Sequence, residues 1–345
     1  MFITIGVVTY NRPELLREAV DSVLSQSFQD FNMIISNDYT PVPVTFDTLG
    51  INDDPRVTII NQPVNLGEVK NHNYLLSVAN SEYFIWLADD DLLHPEYLQI
   101  AYDSIKNCQE NNVVAFYAGY TGGPSPEYIF PKNEVVSVTE KYSTGRFITD
   151  YTSKKISLVG VYGIMNTEAL RIIGGLPRLG NSFGPYSDNI IPILLSHYGK
   201  ILYVKESLVF LRTHPESLSC CSEEFSAYTS AEEDFMRIFN QVCLGFIPEI
   251  NRNQVFSNMV KWFSLDELEV LSRSQKYGTY DIIIKYLQYQ LQINVPRLTG
   301  KYKLYHILYI ARLLFAKYVY YKTKAILGKK YGLFGIVGAP PKKQS

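Results

Sequence analysis

The chain has 345 residues, 46% of them hydrophobic, and a formal net charge of −2. This composition excludes a disordered or fibrous protein, and the length allows one large core with an extension, or two domains. The charge is unevenly distributed, because Asp281 is the last acidic residue and the following residues, 282–345, contain twelve Lys or Arg. The preceding part has 20 basic and 34 acidic side chains. The basic segment therefore predicts an anionic partner.

The cysteines and the N-terminus both indicate the compartment. Cys108, Cys220, Cys221 and Cys243 are too few and too irregularly spaced for a disulfide framework, and none lies in a Cys-x-x-Cys unit. The apolar run at the N-terminus is short, has no basic start and leads directly into polar residues. We interpret it as a buried first strand and not as a signal peptide. These features predict a reducing, cytoplasmic location.

The first 120 residues alternate short β-rich runs with helical patterns. Strands are predicted over Phe2–Thr9, Phe31–Ser36, Val57–Ile60, Tyr83–Ala88 and Val113–Tyr117, and helices from Pro13 and over Val69–Ala79 and Pro95–Asn107. This alternation predicts an α/β fold with a mainly parallel central sheet that is covered by helices on both faces. Ligands of such sheets bind at the carboxyl ends of the strands.

The second half of the chain has longer irregular and helical stretches. Residues 119–155 are rich in Gly, Pro, Ser and Tyr, which predicts a long surface excursion over a site. Further elements are predicted as strands over Leu158–Met165 and Ile201–Val204 and as helices over Thr167–Ile173 and Asn189–His197. From Glu223 to about Asn294 the pattern is helical throughout.

Three consecutive carboxylates, Asp89, Asp90 and Asp91, follow the predicted strand Tyr83–Ala88. They repel one another unless a cation or hydrogen-bond donors neutralise them. Oxygen ligands in an open turn suit Mg²⁺ or Mn²⁺, and these ions suit a diphosphate. The alternative is a solvated acidic turn that caps the next helix. Asp38 closes its own strand in the same way, so we expect it in the same crevice.

The end of the first strand carries the residue types that bind a nucleotide. Thr9, Tyr10, Asn11 and Arg12 offer polar groups, an aromatic ring for stacking and a cation for phosphate. Taken singly, each of them is more often a helix cap or a turn residue. Their position at a strand end is what favours a nucleotide-binding role.

Six segments of the chain, taken in order, resemble the family 2 glycosyltransferases, which use nucleotide-sugar donors and have the GT-A fold. They are VVTYNRPELLREAVDSVLSQSFQDFNMIISND, NLGEVKNHN, YFIWLADDDLLHPEYL, TEALRIIGGL, GPYSDNIIPILL and FLRTHPESLS. The resemblance covers roughly residues 1–220 and keeps the family's order and spacing. The last 120 or so residues lie outside it.

The resemblance assigns roles to the residues of the donor side. It implies that Tyr10 stacks on the base of the donor and that Asp38 accepts a hydrogen bond from that base. Asp89 would hold the ribose, and Asp90 would bind the Mn²⁺ or Mg²⁺ ion that bridges the diphosphate. Asp91 would support the turn or the metal shell.

Other positions match the family pattern less completely. Asn65 and Gly67 match an Asn-x-Gly turn on the donor side, and His72 stands where many members have Arg. His214 matches a position near the metal and the diphosphate, although a lone His is also a common loop residue. Ala88 stands where the family often has an acidic residue, which leaves open which Asp contacts the ribose.

Asp188 matches the second residue of the family's Glu-Asp pair, with Ser187 in place of the Glu. The resemblance implies that Asp188 is the catalytic base. An inverting transfer needs a carboxylate that deprotonates the acceptor hydroxyl as it attacks the anomeric carbon. The alternative is an N-cap of the helix Asn189–His197, and one carboxylate can serve both purposes.

Residues 301–327 are aromatic and apolar with interspersed cations, which interrupt every apolar run before it reaches the ~20 residues of a membrane span. Drawn as a helix, the segment has Lys303, His306, Lys317 and Lys324 on one side. We interpret it as an interfacial anchor on the anionic cytoplasmic leaflet, which suggests a lipid-linked acceptor. The alternatives are a helix packed on the catalytic domain and a nucleic-acid-binding segment, which the acidic body disfavours.

The sequence therefore predicts three regions. They are a nucleotide-sugar-binding GT-A domain over residues 1–220, a helical region over 221–295 and an anchor over 296–345. The predicted activity is an inverting, metal-dependent transfer from a nucleotide sugar, with UDP-sugars favoured, to a glycan or lipid-linked acceptor in surface polysaccharide synthesis. One alternative is a catalytically silent GT-A scaffold in a membrane assembly complex. Another is a sugar nucleotidyltransferase, which would need a Gly-rich triphosphate loop after the first strand.

Overall fold

The protein is described by a computed structural model. It covers residues 1–109, 112–124, 138–181, 184–214, 225–273, 279–294, 298 and 300–331. Cys220 and Cys221 lie outside these residues. The chain divides into two compact units, an N-terminal unit of residues 1–213 and 226–248 and a C-terminal unit of residues 214–225 and 249–345. The sequence-based boundaries at residues 220 and 295 stay a prediction.

The N-terminal unit is built on one nine-stranded mixed sheet. In chain order the strands are β1 (Ile3–Thr9), β2 (Phe31–Asn37), β3 (Val57–Asn61), β4 (Tyr83–Ala88), β5 (Leu92–Leu93), β6 (Val113–Gly123), β7 (Glu140–Tyr142), β8 (Ile164–Asn166) and β9 (Lys200–Arg212). Their order across the sheet is β3-β2-β1-β4-β8-β6-β9-β5, and β7 pairs with β9. The predicted sheet flanked by helices is thus confirmed.

Eight helices belong wholly or largely to this unit among the described residues. They are α1 (Pro13–Leu24), α2 (Phe46–Leu49), α3 (Glu68–Val78), α4 (Tyr97–Lys106), α5 (Thr144–Thr152), α6 (Thr167–Ile172), α7 (Ser187–Leu195) and α8 (Phe225–Val242). On α1 the buried residues Leu16, Ala19, Val20 and Val23 have the spacing i, i+3, i+4, i+7, which gives one apolar face. This face packs into the same core as the fully buried Ile5 of β1.

The parallel centre of the sheet aligns the strand ends that carry the predicted site residues. β1 pairs in parallel with β2 on one side and with β4 on the other. In this register Thr9 lies opposite Asn37, and Val8 lies opposite Ala88. Because the three strands end together, the residues that follow them meet at one edge of the sheet.

The second half of the sheet differs from the predicted parallel arrangement. β8 is antiparallel to both β4 and β6, and β5 and β7 are antiparallel to β9. The predicted strand Leu158–Met165 is wrong in its first half, where a 3₁₀ turn forms over Gly160–Tyr162. At this turn the backbone of Gly160 approaches that of Asp188 so closely that a Cβ atom would overlap the Asp188 carbonyl oxygen.

The predicted surface excursion over residues 119–155 is wrong for much of its length. β6 continues to Gly123 and pairs with β9 as far as Arg212. α5 packs inward through Phe147, Ile148 and Tyr151, which are buried. The remaining part of the excursion, residues 125–137, lies outside the described residues.

The C-terminal unit consists of helices in its described residues. They are α9 (Glu249–Arg273), α10 (Thr279–Tyr289), which continues into a π-helical turn over Gln290–Asn294, and α11 (Gly300–Tyr331). A small core joins Leu268, Tyr286, Ile310 and Leu314. None of the helices in the described part of the chain is long and apolar enough to cross a bilayer.

The contact at Gly160 yields a test of the fold. We expect Gly160→Ala to destabilise the protein by roughly 1–3 kcal/mol, because the added methyl group must push the 3₁₀ turn away from α7 in a packed region. Urea denaturation measures the change. Gly245→Ala is the control, since nothing lies within 4 Å of a Cβ atom at that position. Equal stability of the two variants would contradict the close approach.

Candidate functional site

Asp89, the first carboxylate after β4, is bound by groups at the end of β1. Its Oδ2 atom accepts hydrogen bonds from the hydroxyl of Thr9 at 2.8 Å and from the backbone N–H of Tyr10 at 3.3 Å. Its Oδ1 atom lies 3.2 Å from Arg12 Nη1. Burial raises the pKa of Asp89, and the Thr9 hydrogen bond and the Arg12 charge oppose that rise. The carboxylate therefore fixes β1 and β4 to each other at the edge of the sheet.

Arg12 supplies the cation that the acidic triplet needs. The same Nη1 atom that contacts Asp89 also lies 3.2 Å from Asp90 Oδ2. The guanidinium group is mostly shielded from water, with 23% of the side chain exposed, so its charge acts strongly on both carboxylates. Arg12 was predicted to face a phosphate; in the protein alone it neutralises Asp89 and Asp90.

Asp91 is buried and has other partners than its two neighbours. Its Oδ2 atom accepts a hydrogen bond from the hydroxyl of Tyr162, and its Oδ1 atom accepts one from the backbone N–H of Arg212 at 2.8 Å. Burial, followed by the nearby charge of Asp90, raises the pKa of Asp91 to about 7. Of its two predicted roles, this geometry favours support of the turn over a place in a metal shell.

The side chain of Arg212 holds the acidic turn from the far end of β9. Its Nε atom donates to the backbone carbonyl of Asp90 at 2.9 Å, and its Nη2 atom lies 2.5 Å from Glu18 Oε2 on α1. Only 7% of the side chain is exposed. In the protein alone, Arg212 therefore pairs with an acidic side chain and supports the backbone of the acidic turn.

Asp38 organises the turn that precedes α3. Its Oδ1 atom accepts from the backbone N–H of Leu66 at 2.6 Å, and its Oδ2 atom accepts from that of Gly67 at 3.0 Å. Asn65 Oδ1 also accepts from the Gly67 N–H at 3.0 Å. The predicted contacts of Asp38 and Asn65 with a donor stay predictions. The structure shows that both side chains accept hydrogen bonds from the backbone of the turn that precedes α3.

His72 lies in the core below this turn. Its Nδ1 atom is 2.8 Å from the backbone carbonyl of Glu68, and the indole N–H of Trp86 donates to the carbonyl of His72 at 2.8 Å. Burial lowers the pKa of His72 to about 4, so the ring is neutral at pH 7. A neutral, buried ring lacks the charge of the Arg that many family members have there. Its predicted donor contact stays a prediction.

Tyr10 and Asn11 face solvent beside this edge. Tyr10 has 56% of its surface exposed, which leaves its ring accessible for stacking. Asn11 has a φ of 58°, in the left-handed region that Asn tolerates better than most residues. The turn therefore binds the backbone N–H of Tyr10 to Asp89 and leaves the ring of Tyr10 open to solvent. The predicted stacking of Tyr10 on a base is compatible with this placement and stays a prediction.

Asp188 lies in the first turn of α7. The N-cap position belongs to Tyr186, which has a φ of 65°, so the interpretation of Asp188 as the cap is wrong. Burial raises the pKa of Asp188, and hydrogen bonds from the backbone N–H groups of Asp188 itself, Gly160 and Asn189 oppose that rise. A carboxylate held in this way is oriented and more basic than usual, as a general base requires.

Glu68 is absent from the predicted site residues, yet it shares the environment of several of them. It lies in the first turn of α3 and is accessible to water, although many protein atoms surround it. Burial, followed by the charges of Asp188 and Asp90, raises its pKa to about 7, and Arg12 opposes the rise. In sequence, a Glu in a first helical turn looks like an ordinary dipole-compensating residue.

The predicted metal ligands do not form a protein-only metal site. Among the described residues, no group of three or more His, Cys, Asp or Glu side chains is arranged to hold an ion. Asp91 uses its oxygens on Tyr162 and Arg212. Mg²⁺ is commonly bound by one or two carboxylates together with substrate phosphates. The donor set therefore fits an ion held by Asp90 and a diphosphate, and the role of His214 stays a prediction.

Comparison with known sequences finds similarity to glycosyltransferases. Residues 4–163 match the sequence model described as Glycosyl transferase family 2. Succinoglycan biosynthesis protein ExoW of Rhizobium meliloti is 29% identical over 132 residues, 37% of this chain and 40% of that protein. The putative colanic acid biosynthesis glycosyl transferase WcaA of Escherichia coli is 32% identical over 99 residues, 28% of this chain and 36% of that protein. The matches thus span less than half of these relatives.

Comparison with solved structures identifies the fold. TarS 1-349 of S. aureus superposes with a TM-score of 0.56 at 16% identity, covering 98% of this chain and 94% of that one. Mannosyltransferase PcManGT from Pyrobaculum calidifontis, solved with GDP-Man and Mn²⁺, superposes with a TM-score of 0.50 at 13% identity. The match covers 95% of this chain and 88% of that one. The fold implied by the sequence resemblance, GT-A with a helical C-terminal region, is confirmed.

The contacts of Arg212 yield the test of this site. We expect Arg212→Ala to lower the free energy of unfolding by about 1–3 kcal/mol, because it removes hydrogen bonds to the Asp90 carbonyl and to Glu18. Arg212→Lys keeps the charge but cannot make both contacts, so we expect a partial loss. Urea denaturation measures both.

Arg237→Ala is the matched control, because Arg237 pairs with Asp234 at the surface and 59% of its side chain is exposed. Such surface pairs contribute little to stability. If Arg212→Ala were as mild as Arg237→Ala, the proposed support of the acidic turn by Arg212 would be wrong.

Proposed function

We propose that the protein transfers a sugar, with inversion, from a nucleotide sugar to a hydroxyl group of a glycan or lipid-linked acceptor. The premise is that residues 4–163 form a domain of glycosyltransferase family 2. The observation that carries the proposal is the cluster of Arg12, Asp89 and Asp90 at the ends of β1 and β4, where Arg12 Nη1 lies 3.2 Å from both carboxylates. Asp90, Asp188 and Arg12 also act electrostatically on the carboxyl group of Glu68, which supports a shared cleft at this edge of the sheet.

The donor side of the cleft is the end of β1 and β4. Tyr10 offers an exposed ring for the base, and Asp89 offers a carboxylate for the ribose. Arg12, which lies between Asp89 and Asp90, has a cation that can turn to the diphosphate when the nucleotide sugar binds. UDP-sugars are the donors to test first, and GDP-sugars come next because PcManGT was solved with GDP-Man.

Asp90 is the residue that would hold Mn²⁺ or Mg²⁺ together with the diphosphate. Such an ion neutralises the charge that develops on the nucleoside diphosphate as it leaves. The remaining groups of the chain bind and orient. Asp91 and Arg212 hold the turn that presents Asp90, and Asp38 holds the turn that presents Glu68.

Asp188 is the proposed general base. The acceptor hydroxyl would lose its proton to the carboxylate of Asp188 while its oxygen attacks the anomeric carbon, opposite the bond to the departing diphosphate. The raised pKa of Asp188 strengthens it as a base, and the N–H groups of Gly160 and Asn189 fix its direction. The charge of Asp188 contributes to the raised pKa of Glu68, about 7, so the two carboxyl groups are electrostatically coupled.

The acceptor is proposed from the relatives and from the charge of the tail. ExoW and WcaA are named for succinoglycan and colanic acid biosynthesis, which are pathways to polysaccharides. The twelve cations and absence of acids in residues 282–345 favour work at an anionic surface. We propose a surface polysaccharide or its lipid-linked precursor as acceptor, reached from the cytoplasmic face of the membrane.

Substitution of the base tests the chemistry. We expect Asp188→Asn to lower turnover about 10²–10⁴-fold, because the amide cannot accept the acceptor's proton. Binding of the nucleotide sugar, measured as a thermal shift, should remain. Asp103→Asn is the control, since Asp103 lies on the exposed side of α4. Near wild-type turnover of Asp188→Asn would exclude it as the base.

Substitution of Asp90 tests the donor site. We expect Asp90→Asn to abolish the part of nucleotide-sugar binding that depends on Mn²⁺, because the amide is a weak ligand for a hard cation. Titration of UDP- and GDP-sugars with and without Mn²⁺ measures it. An unchanged titration would contradict the metal role. A wild-type protein that binds no nucleotide sugar would instead support the silent scaffold.

The pH dependence follows from the burial of Asp188. Its folded-state pKa is raised, so the base becomes protonated at a higher pH than an ordinary aspartate, whose pKa is about 3.9. We therefore expect kcat/KM to fall with decreasing pH along a limb whose midpoint lies above that value. Measurement with wild-type enzyme checks it, and a midpoint below about 3.9 would contradict the assignment.

A further inference from the structure

The two sides of α11 differ in a way that the sequence alone does not reveal. Within the C-terminal unit, α11 packs through His306, Ile310 and Leu314, which are spaced four residues apart and are at most 9% exposed. Ile310 and Leu314 join Leu268 and Tyr286 in the core of this unit. The predicted polar side that included His306 is therefore wrong, because His306 faces the interior.

The opposite side of α11 is apolar and exposed. Leu304, Leu308 and Phe315 are 57%, 58% and 69% exposed, and Ala311 between them is exposed as well. At about 100° per residue these four side chains lie within an arc of about 60°. They form a continuous stripe, about 16 Å long, which we call the outer stripe.

Polar contacts determine that this stripe faces outward. The Nε2 atom of His306 lies 2.9 Å from Gln290 Oε1, and the hydroxyl of Ser264 donates to the same oxygen at 3.0 Å. All three side chains are buried. A rotation of α11 that buried Leu308 would remove His306 from its partner, and a buried imidazole without a partner is costly.

Cations border the outer stripe on one side. Lys301 and Arg312 are exposed and lie within about 40° of Leu308 around the helix. Tyr305, which is 53% exposed, lies on the same border. Apolar side chains flanked by cations and an aromatic ring are typical of helices that lie in the interface of an anionic membrane.

We propose that the outer stripe inserts into the headgroup–acyl boundary of an anionic membrane, with Lys301 and Arg312 on the lipid phosphates. This deepens the proposed function, on which it rests for the acceptor, by assigning the membrane contact to one face of one helix. The helix lies along the surface, and the opposite side, with His306, Ile310 and Leu314, stays packed on α9 and α10.

The charges favour lipid over a second copy of the chain as the occupant. Antiparallel pairing of two outer stripes would bring Lys301 and Arg312 of one copy beside those of the other, and parallel pairing would leave them without an acidic partner from this segment. Paired helices usually place opposite charges beside their apolar seam. The segment has no acidic residue after Asp281 to supply them. An anionic lipid surface satisfies both the apolar stripe and its cations.

Vesicle flotation of the full chain tests the proposal. We expect binding to vesicles of phosphatidylglycerol and phosphatidylcholine, and weaker binding to vesicles of phosphatidylcholine alone. Added salt should weaken binding to the vesicles that contain phosphatidylglycerol. The double variant Leu304→Ser/Leu308→Ser should bind about tenfold or more weakly to both kinds of vesicle. Its fold should be kept, because both side chains are exposed.

A second pair of variants separates charge from apolar contact. Lys301→Gln/Arg312→Gln should weaken binding to anionic vesicles and reduce its salt dependence, while binding to phosphatidylcholine stays unchanged. Ile172→Ser and Lys205→Gln are the controls, since they remove an exposed apolar side chain and an exposed cation from the N-terminal unit. Both controls should float like the wild type.

Three results would overturn the proposal. The wild type could fail to float with anionic vesicles, or the outer-stripe variant could float as well as the wild type. Size-exclusion chromatography could also show a dimer that Leu304→Ser/Leu308→Ser makes monomeric with flotation unchanged, which would assign the stripe to a second copy. The thermal shift caused by a nucleotide sugar, measured in parallel, distinguishes failure of the membrane proposal from failure of the proposed function. A protein that floats with the vesicles but shows no thermal shift would contradict the proposed enzymatic function and leave the membrane contact supported.

Discussion

Three consecutive carboxylates at the end of a buried strand must be neutralised before the sheet can close around them, because burial disfavours their charged forms. Here the neutralising groups come from separate strands. Arg12 follows β1, the hydroxyl of Tyr162 lies before β8, and the backbone N–H of Arg212 ends β9. The acidic turn thereby joins three strands that are far apart in sequence, and the rest of the site depends on this junction.

This arrangement makes stability and chemistry depend on the same contacts. Arg12 holds Asp89 and Asp90 in the protein alone, but a bound diphosphate would compete for its charge. The two carboxylates would then need another cation, and Mn²⁺ or Mg²⁺ brought by the diphosphate meets that need. Under the proposed function, binding of a nucleotide sugar would therefore exchange Arg12 for a divalent cation at these carboxylates.

The sequence predicted the local elements well and the distant contacts poorly. β4 was predicted over Tyr83–Ala88 and has these bounds, because a buried apolar run is followed directly by charged turn residues. β9 was predicted over Ile201–Val204 but extends to Arg212. The polar pair Lys205 and Glu206 resembles a strand end, yet the pairing continues with an irregular register opposite Gly119.

The site residues show the same division. The strand-end residues Asp38 and Asp89 could be predicted, because parallel strands bring their ends together. The ion pair of Arg212 with Glu18 could not, since 194 residues separate them. Glu68 was missed because a Glu in a first helical turn is ordinary in sequence, and only the fold reveals its neighbours Asp90 and Asp188.

The uneven charge of the chain constrains how it can meet a membrane. With a net charge of −2 the whole protein gains no long-range attraction to an anionic surface, and its acidic body is repelled. Salt screens that repulsion beyond about 8–10 Å. Only groups within this distance of the lipid then matter, which favours a short element with its own cations. Charge alone would bind any polyanion, and the apolar side chains of Leu304, Leu308 and Phe315 are what restrict α11 to a surface that it can enter.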